Sequence, residues 1–128
     1  MPAKILYVED EIIIRVLVKR LLSEYDITVC HTGDMAMEAL TKEQFDIVLI
    51  DINLGLGING LELCKVIRTT PGYETIPIGA VTAQWINTKE ELFLEGFTHY
   101  LAKPFDRDQI VQFVDEMLAS RLSNANAR

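Results

Sequence analysis

Along this chain, short aliphatic runs take turns with longer stretches whose apolar residues recur at helical spacing. Ile5-Leu6-Tyr7-Val8 is a compact apolar run closed by Glu9 and Asp10, and its β-branched and aromatic content predicts a buried strand. Residues 11–23 place Ile13, Val16, Leu17 and Leu21 at helical spacing, with Arg15, Lys19 and Arg20 between them. Ile27-Thr28-Val29-Cys30 reads as a second strand. Gly33-Asp34 opens a short helix through Ala36, Ala39 and Leu40, with Asp34 as its expected N-cap. Asp46-Ile47-Val48-Leu49-Ile50-Asp51 holds four consecutive aliphatics, as in strands covered on both faces. A glycine-rich loop separates it from a helix near Leu61–Arg68. Ile76–Val81 is a fourth strand, weakened by Pro77. Thr88-x-x-Glu91 spells a capping box for a helix that Gly96 would end, and Thr98–Ala102 makes a fifth strand. Asp106-x-x-Gln109 caps a last helix whose Ile110, Phe113, Val114, Met117 and Leu118 form a core-facing stripe. Ser123–Arg128 is polar and expected to fray, which leaves residues 1–122 as the folded domain.

Five strand–helix units in succession predict an α/β fold with one parallel sheet, helices on both faces and right-handed crossovers. The 128 residues suffice for a single domain, and 49% hydrophobic with 24% charged residues is an ordinary globular composition. A net charge of −7 argues against direct nucleic-acid binding, which needs a basic face. No apolar run approaches the ~18 residues of a membrane span, and no charged-then-apolar leader precedes the first strand, so neither membrane insertion nor secretion is expected. Cys30 and Cys64 sit in apolar contexts without a Cys/His cluster, which suits buried thiols in a reducing cytoplasm. The first 64 residues carry 5 basic and 11 acidic side chains against 7 and 8 in the remainder, so the N-terminal half is where a cation site would lie.

Polar residues fall at the carboxyl ends of four predicted strands: Glu9 and Asp10, Asp51, Thr82, and Lys103. Functional crevices of open α/β sheets lie along that rim. Carboxylates gathered there repel unless a cation compensates, and an oxygen-only ligand set without His or Cys suits magnesium, or alternatively manganese.

The stretches VED at 8–10, VLIDIN at 48–53, VTA at 81–83 and YLAKPF at 100–105 together resemble the receiver domains of two-component response regulators. The resemblance covers essentially the whole chain, and its specificity lies in all four stretches occurring in order. It implies a flavodoxin-like, doubly wound sheet of order 2-1-3-4-5, which would set strands one and three side by side. It implies that Asp51 is the nucleophile taking a phosphoryl group from a phosphohistidine. Magnesium would be held by Asp10, Asp51 and the carbonyl of Asn53, with Glu9 acting through water. Lys103 would contribute a point charge to the phosphoryl group, with a cis Lys103-Pro104 bond aiming it inward. The Thr82 hydroxyl and the Ala83 N–H would bind phosphoryl oxygens, Thr82 and Tyr100 would form the switch, and Asn53 and Gln84 would modulate hydrolysis. The implied partners are a histidine kinase or histidine phosphotransfer protein and a downstream protein target. The chain would catalyse its own phosphorylation and slow dephosphorylation.

Where the family commonly has proline four residues after the aspartate, this chain has Gly55, and its helix-opening glycine comes one residue late, at Gly60. The same loop spells GxGxxG over residues 55–60, but Ile52-Asn53-Leu54 separate it from the strand and no acidic residue ends the next strand, against a dinucleotide site. Two other functions compete. A haloacid-dehalogenase-like phosphohydrolase would need a second aspartate two residues after the nucleophile, where Asn53 stands. A phosphorylation-independent docking module would not need the set Asp10, Asp51, Thr82 and Lys103. His31 and His99 are expected to play no chemical part, and Trp85 to lie near the pocket as an optical reporter.

Overall fold

In the computed structural model, residues 2–55, 57–83 and 89–126 are described, with side chains described to Arg121. Five strands, β1 (Lys4–Val8), β2 (Asp26–Cys30), β3 (Ile47–Asp51), β4 (Ile78–Thr82) and β5 (His99–Ala102), alternate with five helices. These are α1 (Ile12–Leu21), α2 (Gly33–Lys42), α3 (Gly60–Arg68), α4 (Lys89–Glu95) and α5 (Arg107–Asn126). The sheet is parallel throughout in the order β2-β1-β3-β4-β5, so the flavodoxin-like topology implied by the four motifs is present.

The period of two in the strands divides the core. Leu6, Val8, Val48, Ile50, Ile78 and Ala80 face α2, α3 and α4, whereas Ile5, Tyr7, Ile47, Leu49 and Val81 face α1 and α5. On the second face Ile110, Val114 and Met117 of α5 are fully buried, each such side chain adding about 1.5–3 kcal/mol. The predicted stripe of α5 is therefore core. Its N-terminus carries the expected capping box: Gln109 N–H donates to Asp106 Oδ1 at 2.8 Å, and Asp106 N–H donates to Gln109 Oε1 at 2.9 Å. Gly96 ends α4 at φ +113°, a conformation that favours glycine, and the following Phe97 N–H returns to the Leu92 carbonyl at 3.1 Å. Cys30 and Cys64 are free and buried, and burial pushes the Cys64 thiol up to about 12.

Two expectations are corrected. The N-cap of α2 is Thr32, not Asp34: the backbone at Thr32 is extended, helix begins at Gly33, and Thr32 Oγ1 accepts from the Met35 N–H at 3.1 Å. The fourth strand starts at Ile78, because Pro77 has no N–H to donate and contributes its carbonyl alone, to Val48 N–H at 3.2 Å. The predicted spacing of α1 leaves its inward face open, and the structure gives it as Val18, with Ile14 and Leu21 partly buried, while Ile13 and Val16 are 78% and 54% exposed. Thr88 lies outside the described residues.

Candidate functional site

Strand register sets the polar rim. Val8, Cys30 and Ile50 lie level, Asp51 pairs with Val81, and Thr82 pairs with Ala102. Glu9 extends the ladder one step, its N–H donating to the Cys30 carbonyl at 2.9 Å, and the Lys103 N–H donates to the Thr82 carbonyl at 2.9 Å. Residues that end or directly follow four different strands are thus delivered to one edge by the backbone ladder.

Their side chains converge. Lys103 Nζ lies 2.7 Å from Glu9 Oε1 and 3.2 Å from Asp51 Oδ2, and all three side chains are nearly closed to solvent. The Lys103–Pro104 peptide is cis, as expected from the motif. Asp51 Oδ1 accepts from the Asn53 N–H at 3.0 Å. Glu9 Oε2 accepts from the Glu11 N–H at 3.3 Å. Asp10 is exposed at the mouth, where its Oδ2 accepts from the Gly55 N–H at 3.1 Å. Thr82 is buried at the end of β4, and Ala83 follows it at the surface. Tyr100 is half-buried on β5, with the Lys89 ammonium 6.0 Å from its ring centroid. His31 is exposed after β2, and His99 opens β5 at the end opposite Lys103, edge-on to Phe113. Gln84 and Trp85 lie outside the described residues.

Two supporting groups have weak sequence signals. Arg15, one turn into α1, donates from Nη1 to the carbonyls of Glu9 (3.0 Å) and Asp10 (2.8 Å), fixing the backbone that carries both carboxylates. A basic residue one turn after an acidic pair hints at this. The Gly55 amide has no sequence signal beyond the departure already noted.

The electrostatics leave room for a cation. Oxygens of Glu9, Asp10 and Asp51 all lie within 4.8 Å of one another. Unit charges at that distance repel by roughly 3 kcal/mol at an effective dielectric of about 20. Burial first, and the neighbouring Asp51 second, raise the Glu9 carboxyl to about 8 against the opposing effect of Lys103. Burial alone would lower the Lys103 ammonium, but Glu9 and Asp51 hold it above its ordinary value. With all three carboxyls ionised, one ammonium leaves two negative charges over, and a divalent cation with oxygen ligands matches that excess. The residues present therefore fit a hard divalent ion.

A family model for the response regulator receiver domain matches residues 5–115. The chain is 32% identical over 85 residues to the signal transduction histidine-protein kinase BarA of Escherichia coli strain K12, which covers 66% of this chain and 9% of that protein. It is 32% identical over 118 residues to response regulator ArlR of Staphylococcus saprophyticus, covering 90% of this chain and 52% of that one. The chain thus spans about half or less of these curated relatives. Among solved structures, chemotaxis response regulator CheY4 of Vibrio cholerae superposes with a TM-score of 0.84 at 28% identity, covering 92% of this chain and 100% of its own. The receiver domain of sensor histidine kinase PA1611 from Pseudomonas aeruginosa, solved with magnesium in its active-site cleft, gives 0.83 at 25% identity over 93% and 99%. A match across nearly the whole sheet, joined to the strand order and the polar rim found here, makes this chain a member of the response regulator receiver domain family.

Proposed function

We propose that the chain is a phosphoacceptor: it takes a phosphoryl group from a phosphohistidine onto Asp51 and thereby switches a protein-binding surface. The observation that carries this reading is the buried contact of Asp51 Oδ2 with Lys103 Nζ beside a cation-ready carboxylate cluster. One Asp51 oxygen attacks phosphorus, the P–N bond breaks, and its electron pair returns to the imidazole, which takes a proton from solvent. Lys103 offers a point charge to the phosphoryl oxygens, and the Asn53 N–H holds the other Asp51 oxygen. Magnesium, held by Asp10, Asp51 and the Asn53 carbonyl with Glu9 through water, would neutralise developing phosphoryl charge. Thr82 and the Ala83 N–H would receive phosphoryl oxygens, with Thr82 and Tyr100 biasing a two-state equilibrium toward the active form. Asn53 and Gln84 would set how readily water attacks the acyl phosphate.

The phosphodonor is a histidine kinase or histidine phosphotransfer protein, and the output is a further protein. Support comes from α1, where Ile12, Ile13, Val16 and Leu17 form an exposed apolar face that starts two residues after Asp10. A protein reaching Asp51 with a phosphohistidine would rest on that face. Buried, unreactive thiols suit a cytoplasmic setting, and no helix among the described residues is long and apolar enough to cross a membrane. Phosphotransfer profiling against purified, phosphorylated histidine kinases and phosphotransfer proteins tests the reading. Rapid, magnesium-dependent labelling by at least one donor is expected. Labelling by none of them, or repeated turnover of small phosphate esters, would overturn it.

A further inference from the structure

The loop from β3 to α3 reaches across to the residue pair that follows β1 through a hydrogen bond from the Gly55 N–H to Asp10 Oδ2, between residues 45 apart in sequence. Among the described residues, Gly55 alone donates to the Asp10 carboxylate. The far part of the loop is pinned. Ile58 lies against Gly33 so closely that a Cβ there would collide with its Cγ2, and Asn59 caps α3 by accepting from the Glu62 N–H at 2.9 Å. On the near side Leu54 is buried in the core, so Gly55 lies between two fixed points of the loop.

We propose that the Gly55 amide is a positioning group for the cation site, holding one oxygen of Asp10 so that the other is kept for a divalent ion. The inference rests on reading Glu9, Asp10 and Asp51 as that site. Asp10 needs such help more than its neighbours do. Glu9 and Asp51 are walled in by the core and by Lys103, whereas the Asp10 side chain is exposed and would otherwise rotate freely. A charge-assisted bond from a backbone amide fixes its orientation at little entropic cost. Proline, the residue expected here from the resemblance, has no N–H and could not serve. The backbone at Gly55 has no positive φ, so the position does not need glycine for its conformation.

Three forms of the full chain separate the donor from mere crowding. Gly55→Ala keeps the N–H while adding a Cβ that would lie 3.1 Å from Asp10 Oδ2. Gly55→Pro adds bulk and removes the donor. A semisynthetic chain with an ester in place of the residue-55 amide removes the donor alone. Magnesium dissociation constants come from calorimetry, alongside melting temperatures without metal. The ester and proline forms should bind magnesium on the order of tenfold more weakly, the loss typical of removing a hydrogen bond to a metal-bound carboxylate. The alanine form should keep most of the affinity, and the ester form should melt like wild type when metal-free. Unchanged affinity in the ester form, or equal loss in the alanine and ester forms, would overturn the inference while leaving the phosphoacceptor reading intact. A wild-type chain that does not bind magnesium would overturn this inference and the cation site together.

Discussion

Helices α1 and α5 pack on the same face of the sheet and both are rich in apolar residues, but they spend them differently. In α5 one stripe, Ile110, Phe113, Val114 and Met117, is closed by the sheet, and a reciprocal capping box fixes where the helix begins. In α1 the inward residues are joined by an outward set, Ile12, Ile13, Val16 and Leu17, that the described residues leave exposed, and the N-cap Glu11 makes no side-chain capping bond. An apolar stripe in a sequence reports that a surface avoids water, but not whose surface will cover it. The α5 stripe serves stability. The outer α1 stripe adds little to stability and lies beside the acidic rim.

The largest expected effect tests the α5 half of that contrast. Ile110→Ala or Met117→Ala should cost about 2–5 kcal/mol in denaturant unfolding, because each leaves a cavity in the α1/α5 core. By contrast, Ile13→Ser should change stability by less than about 0.5 kcal/mol, its side chain being open to water already. Similar losses at Ile13 and Ile110 would erase the distinction. Next in size, Ile13→Ser combined with Val16→Ser should slow phosphotransfer from a protein donor by about tenfold or more, as expected for apolar anchors of an interface. Acetyl phosphate, which needs no docking surface, should label the variant at the wild-type rate. Equal slowing with both donors would place the defect in the site and not on α1.

The strand–helix alternation, the two-sided burial of β3, the α5 stripe and its cap were all legible in the sequence, because each depends on residues within one or two turns of each other. Strand order was not legible from periodicity. It came from the resemblance carried by the four motifs, as did the cis Lys103–Pro104 bond. The inward face of α1 was not assigned from the sequence, because Ile12-Ile13-Ile14 is apolar on every side and spacing cannot choose a face. The bond between Gly55 and Asp10 depends on closing a long loop, which local pattern cannot report. The same is true of Arg68, whose guanidinium donates to the carbonyls of Gly96, Tyr73, Glu74 and Ile76, at distances from 2.7 to 3.3 Å.

A smaller effect distinguishes the rim at the start of α1 from the distant α5 stripe through pH. The folded-state carboxyl of Glu9 is raised to about 8, so the unfolded chain releases that proton at lower pH than the folded one. Its contribution to metal-free stability is therefore full below the ordinary glutamate range and lost as pH rises toward and through about 8. The loss is moderated because Lys103, held above its ordinary value, remains protonated across this window. Melting temperatures between pH 5 and 8 should show a fall attributable to Glu9 that Glu9→Gln removes and that Ile110→Ala leaves in place. Saturating magnesium should reduce the fall, since metal binding favours the ionised carboxylate. An unchanged slope in Glu9→Gln would mean that another group controls the profile.

The account stands or falls on Asp51. Wild-type chain and Asp51→Asn, each incubated with acetyl phosphate with and without magnesium, can be compared by intact mass. The expected result is one phosphoryl group on the wild type, present with magnesium and lost on its removal by chelation before the donor is added, with none on Asp51→Asn. The variant should remain folded, because losing one of three crowded carboxylate charges relieves repulsion. A phosphoryl group that persists on folded Asp51→Asn, or a wild type that stays unlabelled by acetyl phosphate and by protein donors alike, would contradict the phosphoacceptor reading.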